Sequence, residues 1–215
     1  MSNKVSYVVE PEEKEQFTAQ YDRFYTSFAK VYDGAVKVLP FWKRWLRATL
    51  PHIQGLRVLE VSFGTGYLLM QYAGQFETFG IDYNERFVTM LQEKLARVGL
   101  SANIQQGNVE RLPYEDGFFD SIVNTMAFTA YPDGEKALSE MHRVLKPGGK
   151  LVMVDVDYPF DHNRIGIFIT KAWIAGGDIV RDMEPLFSKF GFEFTDEEIG
   201  GYGSVHLYVA KKKEK

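Results

Sequence analysis

Seven consecutive residues, Glu60-Val61-Ser62-Phe63-Gly64-Thr65-Gly66, place a carboxylate, two hydroxyls and two glycines where an apolar run gives way to a helical pattern. Small residues at such a strand-to-helix turn let the backbone approach a ligand closely, and the first amides of the helix point at it. Twenty-two residues after Glu60, Gly80-Ile81-Asp82 ends the next apolar run and sets a second carboxylate at the neighbouring strand tip. A carboxylate there can accept hydrogen bonds from a ribose diol. A Gly-x-Gly alone is equally a tight turn, and a lone Asp equally a solvated one, but their spacing favours a binding pair. The turn lacks the full G-x-G-x-x-G pattern, with Leu68 two positions after Gly66. A dinucleotide pyrophosphate therefore has fewer places to approach, and a nucleoside without phosphate fits better.

Strand tips converge in this way only if the strands lie side by side in one sheet. From Leu56 onward, short apolar runs alternate with longer helical patterns, which predicts an α/β fold of stacked βαβ units. Strands are expected over 56–61, up to Asp82, and over 103–106, 120–124 and 150–155, with a first helix over 67–76. Asn84 caps a helix that carries Phe87, Leu91, Leu95 and Val98 on one face and stops at Gly99. A further helix over 134–145 is broken by Lys146-Pro147-Gly148-Gly149. A helix over 182–190 leads into strands over 192–198 and 204–210, joined by Gly200-Gly201-Tyr202-Gly203 as a terminal antiparallel hairpin. Ahead of this core at 51–215, Phe17, Tyr21, Phe24 and Phe28 share one helical stripe, and Phe41, Trp42, Trp45 and Leu46 a second. Residues 1–50 are thus expected to form an N-terminal helical cap.

The bulk properties restrict the chemistry. A chain of 215 residues fits one domain with an added cap. Without cysteine there is no disulfide framework, thiolate zinc site or cysteine nucleophile, and no metal is expected. No apolar stretch approaches the roughly 18 residues that would cross a bilayer, and MSNKVSYVVEPEEKE does not read as a signal peptide. A cytoplasmic location is the expectation. Net charge is −4, and the basic run Lys211, Lys212, Lys213 and Lys215 reads as a solvated end, so nucleic acid is disfavoured as a partner.

Over residues 32–194 the chain resembles the class I methyltransferases, in particular the group that includes the ubiquinone and menaquinone C-methyltransferases and small-molecule and lipid methylases. The strings VLEVSFGTGYL, GIDYN, GNVERLPYEDGFFDSIV and RVLKPGGKLVMVD match that family's motifs in order and spacing. The resemblance implies a Rossmann-like, seven-stranded, mostly parallel sheet, S-adenosylmethionine as cofactor and S-adenosylhomocysteine as product. It implies that Glu60, Ser62, Gly64 and Gly66 line the amino-acid end of the cofactor, that Asp82 binds the ribose and Tyr83 flanks the adenine, and that Asn108 and Val109 meet the adenine edge. Asn124 and Thr125 would lie beside the methionine part, with Met126, Ala127 and Phe128 near the methyl group. Tyr25 and Tyr32, in a Tyr32-Asp33 pair, resemble residues that lie over the cofactor, and packing between cap and core is an equal reading of both. Two positions depart from the family. Ser62 replaces its usual glycine, which suits the turn if the backbone there is not left-handed. Asn108 replaces its common Asp and keeps a carbonyl for the adenine amino group. The loop after the fourth strand is not Asn-Pro-Pro-Tyr, which argues further against nucleic-acid substrates.

Transfer from a sulfonium is a direct displacement that needs alignment and exclusion of water, with a base only where the acceptor must lose a proton. The candidate catalytic residues are Asp178, His162 and Tyr32; a helix cap for Asp178 and an exposed loop for His162 are the competing readings. Residues 158–180 are where this fold inserts substrate-recognition elements, and Phe160, Phe168, Trp173 and Ile174 there suggest an apolar acceptor pocket. Lys37, Lys43, Arg44 and Arg47 interleave with Trp42 and Trp45, a composition found in helices lying on anionic membranes and also in helices packed by their aromatic face. The leading expectation is methyl transfer to a small-molecule acceptor, partly apolar or lipid-like. A cofactor-binding protein without transferase activity is the alternative, and a nicotinamide-dependent oxidoreductase the weaker third. No feature assigns an oligomeric state.

Overall fold

The structure, a computed structural model, describes Tyr7 and residues 40–214. Seven strands form one sheet in the order β3-β2-β1-β4-β5-β7-β6. They are β1 (Arg57–Val61), β2 (Glu77–Asp82), β3 (Asn103–Gln106), β4 (Phe119–Thr125), β5 (Leu145–Val156), β6 (Phe192–Gly200) and β7 (Val205–Lys212). β7 runs antiparallel to both β5 and β6, while the β1–β2, β1–β4, β2–β3 and β4–β5 pairs are parallel. The expected terminal hairpin is therefore present.

Helices cover both faces, so the central strands read as continuous apolar runs and not as alternations. In β1, Val58, Leu59 and Val61 are all buried, as are Leu151, Val152, Met153 and Val154 in β5. The helices are α1 (Pro40–Arg47), α2 (Leu69–Tyr72), α3 (Glu85–Arg97), α4 (Gly134–Val144), α5 (Arg164–Ala175) and α6 (Met183–Lys189). Asn84 caps α3 as expected, its side chain accepting from Arg86 N and Phe87 N.

Four local expectations are corrected. The helix placed over 67–76 is only the single turn α2, because residues 64–68 are spent in the glycine turn. Val98 lies beyond α3 as its C-cap and is exposed, leaving Phe87, Val88, Leu91 and Leu95 as the buried face. Lys146-Pro147-Gly148-Gly149 does end α4, but within β5: the register with β4 passes from Phe119↔Leu145 to Ser121↔Lys150, so these residues bulge out, with Gly148 at φ 75°. The strand starts five residues earlier than read. Ser62 has φ 53°, the left-handed backbone that its fit to the turn was expected to avoid.

Of the expected cap, α1 is described; Phe17, Tyr21, Phe24, Tyr25, Phe28, Tyr32, Asp33 and Lys37 lie outside the described residues. α1 packs through buried Leu46 and half-buried Trp42 and Trp45, with Arg44 and Arg47 exposed.

Candidate cofactor site

β1 has β2 on one side and β4 on the other, so the chain connections diverge at its C-terminal end and leave a crevice there, the usual ligand position in an open parallel sheet. The cleft at this point is lined by Glu60, Ser62, Gly64, Asp82, Tyr83, Asn108, Val109, Thr125, Met126 and Ala127, together with Leu46, Tyr67 and Tyr131.

The glycine turn is shaped by backbone conformation. Gly64 (φ 53°) and Gly66 (φ 73°) are both left-handed, and a Cβ at Gly64 would meet nothing within 4 Å, which leaves the turn's backbone open for close approach. Gly66 faces inward instead: a Cβ there would lie 2.4 Å from Leu91 Cδ1 on α3. Asp82, buried at the tip of β2, ties the two walls together. Its Oδ2 accepts from Gly64 N at 2.8 Å and its Oδ1 from Asn84 N at 2.9 Å. A carboxylate at this position can accept from a diol.

Glu60 is buried beneath the turn and accepts from the Tyr72 hydroxyl at 2.7 Å. Burial, with a smaller push from the Asp82 charge, raises its carboxyl to about 8, against the lowering effect of the Tyr72 bond. Across the cleft, Ser62 Oγ and Tyr131 Oη are 2.7 Å apart, and Asn124 Nδ2 donates to Tyr131 Oη at 2.7 Å. The Ser62 hydroxyl thus joins the turn after β1 to the loop after β4 and offsets part of the cost of its own left-handed backbone. Burial holds the Tyr131 phenol far above its ordinary value, so it stays neutral. Asn124 Oδ1 is buried with no partner. Asn108 keeps an oxygen at the cleft, although Oδ1 already accepts from Glu110 N at 2.8 Å.

Neither described catalytic candidate lines the cleft. His162 is exposed, in a loop, with φ 53°. Asp178 meets Thr129 Oγ1 at 2.7 Å, and the same hydroxyl reaches Asp155 Oδ1 at 3.0 Å. The Thr129 hydroxyl thus lies between two carboxyl groups, an arrangement that favours a proton on one of them. Burial, and then the Asp155 charge, push Asp178 up to about 6, while Asp155 Oδ2 accepts from the amides of Ala127, Phe128 and Thr129. Asp155 therefore fixes the loop 126–130 at the mouth of the cleft. The aromatic residues of 158–180 divide: Trp173 and Ile174 pack inward against Tyr158 and Val180, whereas Phe160 and Phe168 face solvent instead of forming a pocket.

Sequence reasoning missed Tyr131, Tyr72 and the Thr129–Asp155–Asp178 cluster. The signal for Asp155 was present as a lone carboxylate closing an apolar run; nothing in the spacing marked Tyr131.

The sheet order, with its one reversed strand beside β5 and a cleft at the switch point, is that of the class I, Rossmann-like methyltransferase fold; the methyltransferases of this class use S-adenosylmethionine as cofactor. Residues 59–153 match the family described as methyltransferase domain. Over 157 residues the chain is 35% identical to the ubiquinone/menaquinone biosynthesis C-methyltransferase of Yersinia pestis bv. Antiqua (strain Antiqua), a match covering 68% of this chain and 62% of that protein. The chain thus spans somewhat less than two thirds of the length of the curated relatives it matches. Two solved structures share the fold. One is a SAM-dependent methyltransferase from Thermotoga maritima (TM-score 0.71, 20% identity, 89% of this chain and 99% of that one). The other is the [4+2]-cyclase SpnF (TM-score 0.76, 16% identity, 99% and 100%).

Proposed function

We propose that the protein transfers a methyl group from S-adenosylmethionine to a small, partly apolar acceptor, and that a phenolic or quinone-related ring is the acceptor class to test first. The observation that carries this reading is the cleft at the switch point, where Asp82 presents carboxylate oxygens beside a glycine turn with an open backbone. The choice of ring follows the relatives, which are named for ubiquinone and menaquinone biosynthesis.

When bound, the cofactor supplies an electrophilic methyl group on a sulfonium. Asp82 would hold the ribose hydroxyls, Tyr83, Asn108 and Val109 the adenine, and Glu60, Ser62 and the glycines the amino-acid end. Glu60, held neutral by burial in the free protein, becomes an ionised partner when an ammonium arrives, since an opposite charge favours the carboxylate. Met126, Ala127 and the neutral Tyr131 form the far wall and exclude water. Asp178 and His162 lie, in this reading, away from the reacting atoms, and a proton lost by the acceptor passes to the remaining candidate base, Tyr32, or to water at the cleft mouth.

The test is incubation with S-adenosylmethionine and a panel of hydroquinones and phenols, reading S-adenosylhomocysteine release and the mass of the product. Acceptor-dependent release with a gain of one methyl supports the proposal; cofactor binding without release from any acceptor favours the second reading, a cofactor-binding protein of this fold. That second reading draws on the distance of Asp178 and His162 from the cleft lining.

A further inference from the structure

α5 carries two apolar faces. Its inner face packs on the sheet: Gly166 and Thr170 are buried, and Ile167, Trp173 and Ile174 join Val156, Tyr158 and Val180. Its outer face repeats apolar residues at helical spacing, Ile165, Phe168, Ala172 and Ala175, all exposed, with Phe168 at 73%. The core-facing side of this helix is already packed, and no core cluster among the described residues includes the outer stripe.

Neighbouring elements extend this face. Asn163 Nδ2 donates to the Tyr202 carbonyl at 2.9 Å, and a Cβ at Gly166 would stand 2.3 Å from the same oxygen, so the loop 200–203 lies directly against the start of α5. Gly200 in turn sits under Trp45 of α1, and Trp42 of α1 meets Trp173 of α5 with ring centroids 6.1 Å apart. Phe41, Phe160 and Tyr202, each exposed, thus belong to segments adjoining α5 or the α1 helix packed on it.

The charge on this face opposes that of the chain. Net charge is −4, yet Arg44, Arg164 and Lys171 are exposed here and make no ion pair among the described residues. The adjacent acids, Asp161 and Glu198, accept from Asn163 N and Nδ2 and from Phe160 N, and the three cations outnumber them. Projecting aromatic and aliphatic side chains ringed by free cations match an anionic lipid–water interface, where rings sink to the headgroup boundary and long basic side chains reach back to phosphate. A set of separately exposed side chains fits a deformable surface better than a rigid partner, which would need a pocket for each anchor.

The geometry points to a peripheral docking surface on this protein for anionic lipid bilayers, formed by Ile165 and Phe168 of α5 with Phe160, Tyr202 and Phe41, and steered by Arg44, Arg164 and Lys171. It goes beyond the proposed reaction and is independent of which molecule is methylated, since none of these residues lines the cofactor cleft.

The experiment is flotation of the protein with vesicles of phosphatidylcholine alone and of phosphatidylcholine mixed with phosphatidylglycerol. Binding to the mixed vesicles, suppressed by high salt, is expected. The double variant Ile165→Ser, Phe168→Ser is expected to weaken it by roughly tenfold or more, from lost apolar burial. Arg164→Gln with Lys171→Gln is expected to reduce the preference for the anionic lipid by about tenfold or more. S-adenosylhomocysteine affinity, unchanged in both variants, reports that the fold is intact. Absence of vesicle binding, or binding that the Ile165 and Phe168 changes leave unaltered, overturns the proposal. So does a dimer in solution that those changes dissociate, because a second copy then covers the face.

Discussion

In the half of the sheet built from β1, β2 and β3, polar groups find partners close by in the chain. Asp82 accepts from Asn84, two residues on, and from Gly64, 18 residues back, and Glu60 meets Tyr72 across 12. In the half built from β4, β5 and β7, the partners are distant. Thr129 and Asp178 are 49 residues apart, Arg181 and the Tyr131 carbonyl 50, and Tyr208 and Asp157 51. The first half is shaped by backbone conformation in short contiguous motifs; the second holds loops in place through side chains that meet only once the chain has folded. The proposed ligand recognition would thereby be separated from the scaffolding that positions the far wall.

The largest effect should come from the distant half. Asp155→Ala leaves three buried amides of the 127–129 loop without their acceptor. Stability should fall by about 4 kcal/mol, read from urea unfolding. A loss below about 1 kcal/mol would mean that the loop finds other partners and that the contrast between the halves is overstated.

Asp82→Ala tests the local half. It strands the ribose hydroxyls and also frees the Gly64 and Asn84 amides, so S-adenosylhomocysteine affinity should fall by about 3 kcal/mol while the unfolding midpoint moves less than in Asp155→Ala. Equal loss of stability in the two variants would erase the distinction.

Protonation separates the halves more finely. Glu60, at about 8 in the folded chain against an ordinary 4.5, holds a proton that the unfolded chain has released. Its contribution to stability is full below 4.5 and is lost as pH rises through about 8. Asp178 behaves alike between 3.8 and about 6. Stability should therefore decline from about pH 4 to about pH 8, and Glu60→Gln should flatten the upper part of that decline. His206, whose ring nitrogens meet Asp196 Oδ1 and the Gly203 carbonyl, is also raised and adds stability on the acid side that is lost as pH rises. A profile unchanged in Glu60→Gln would show that Glu60 is ionised in the free cleft.

The smallest effect concerns the bridge between the halves. Ser62→Ala keeps the left-handed backbone and loses the Tyr131 bond, at a cost of about 1 kcal/mol, whereas Ser62→Gly also relieves the backbone and should be close to neutral. Thermal unfolding of the two variants, side by side, reads the difference.

This division also explains what was legible in the sequence. The succession of strands and helices, the Asn84 cap and the Glu60–Gly66 turn follow from periodicity and local residue type, and Asp82 from a fixed spacing within one βαβ unit. Residues 146–149 look like a helix breaker and a loop because Pro and Gly carry that local signal, and only the pairing of β4 with β5 turns them into a bulge within a strand. Tyr131 was invisible because its partners, Ser62 and Asn124, come from two other strand ends. Phe160 and Phe168 were read as pocket residues since apolar character alone does not say which side of a helix faces the protein.

The most direct test of the nucleoside cleft is calorimetric titration of the protein with S-adenosylhomocysteine beside NAD. Micromolar binding of S-adenosylhomocysteine alone, weakened roughly hundredfold in Asp82→Ala, is the expected result. Tight binding of NAD, or S-adenosylhomocysteine binding that Asp82→Ala leaves unchanged, would contradict it.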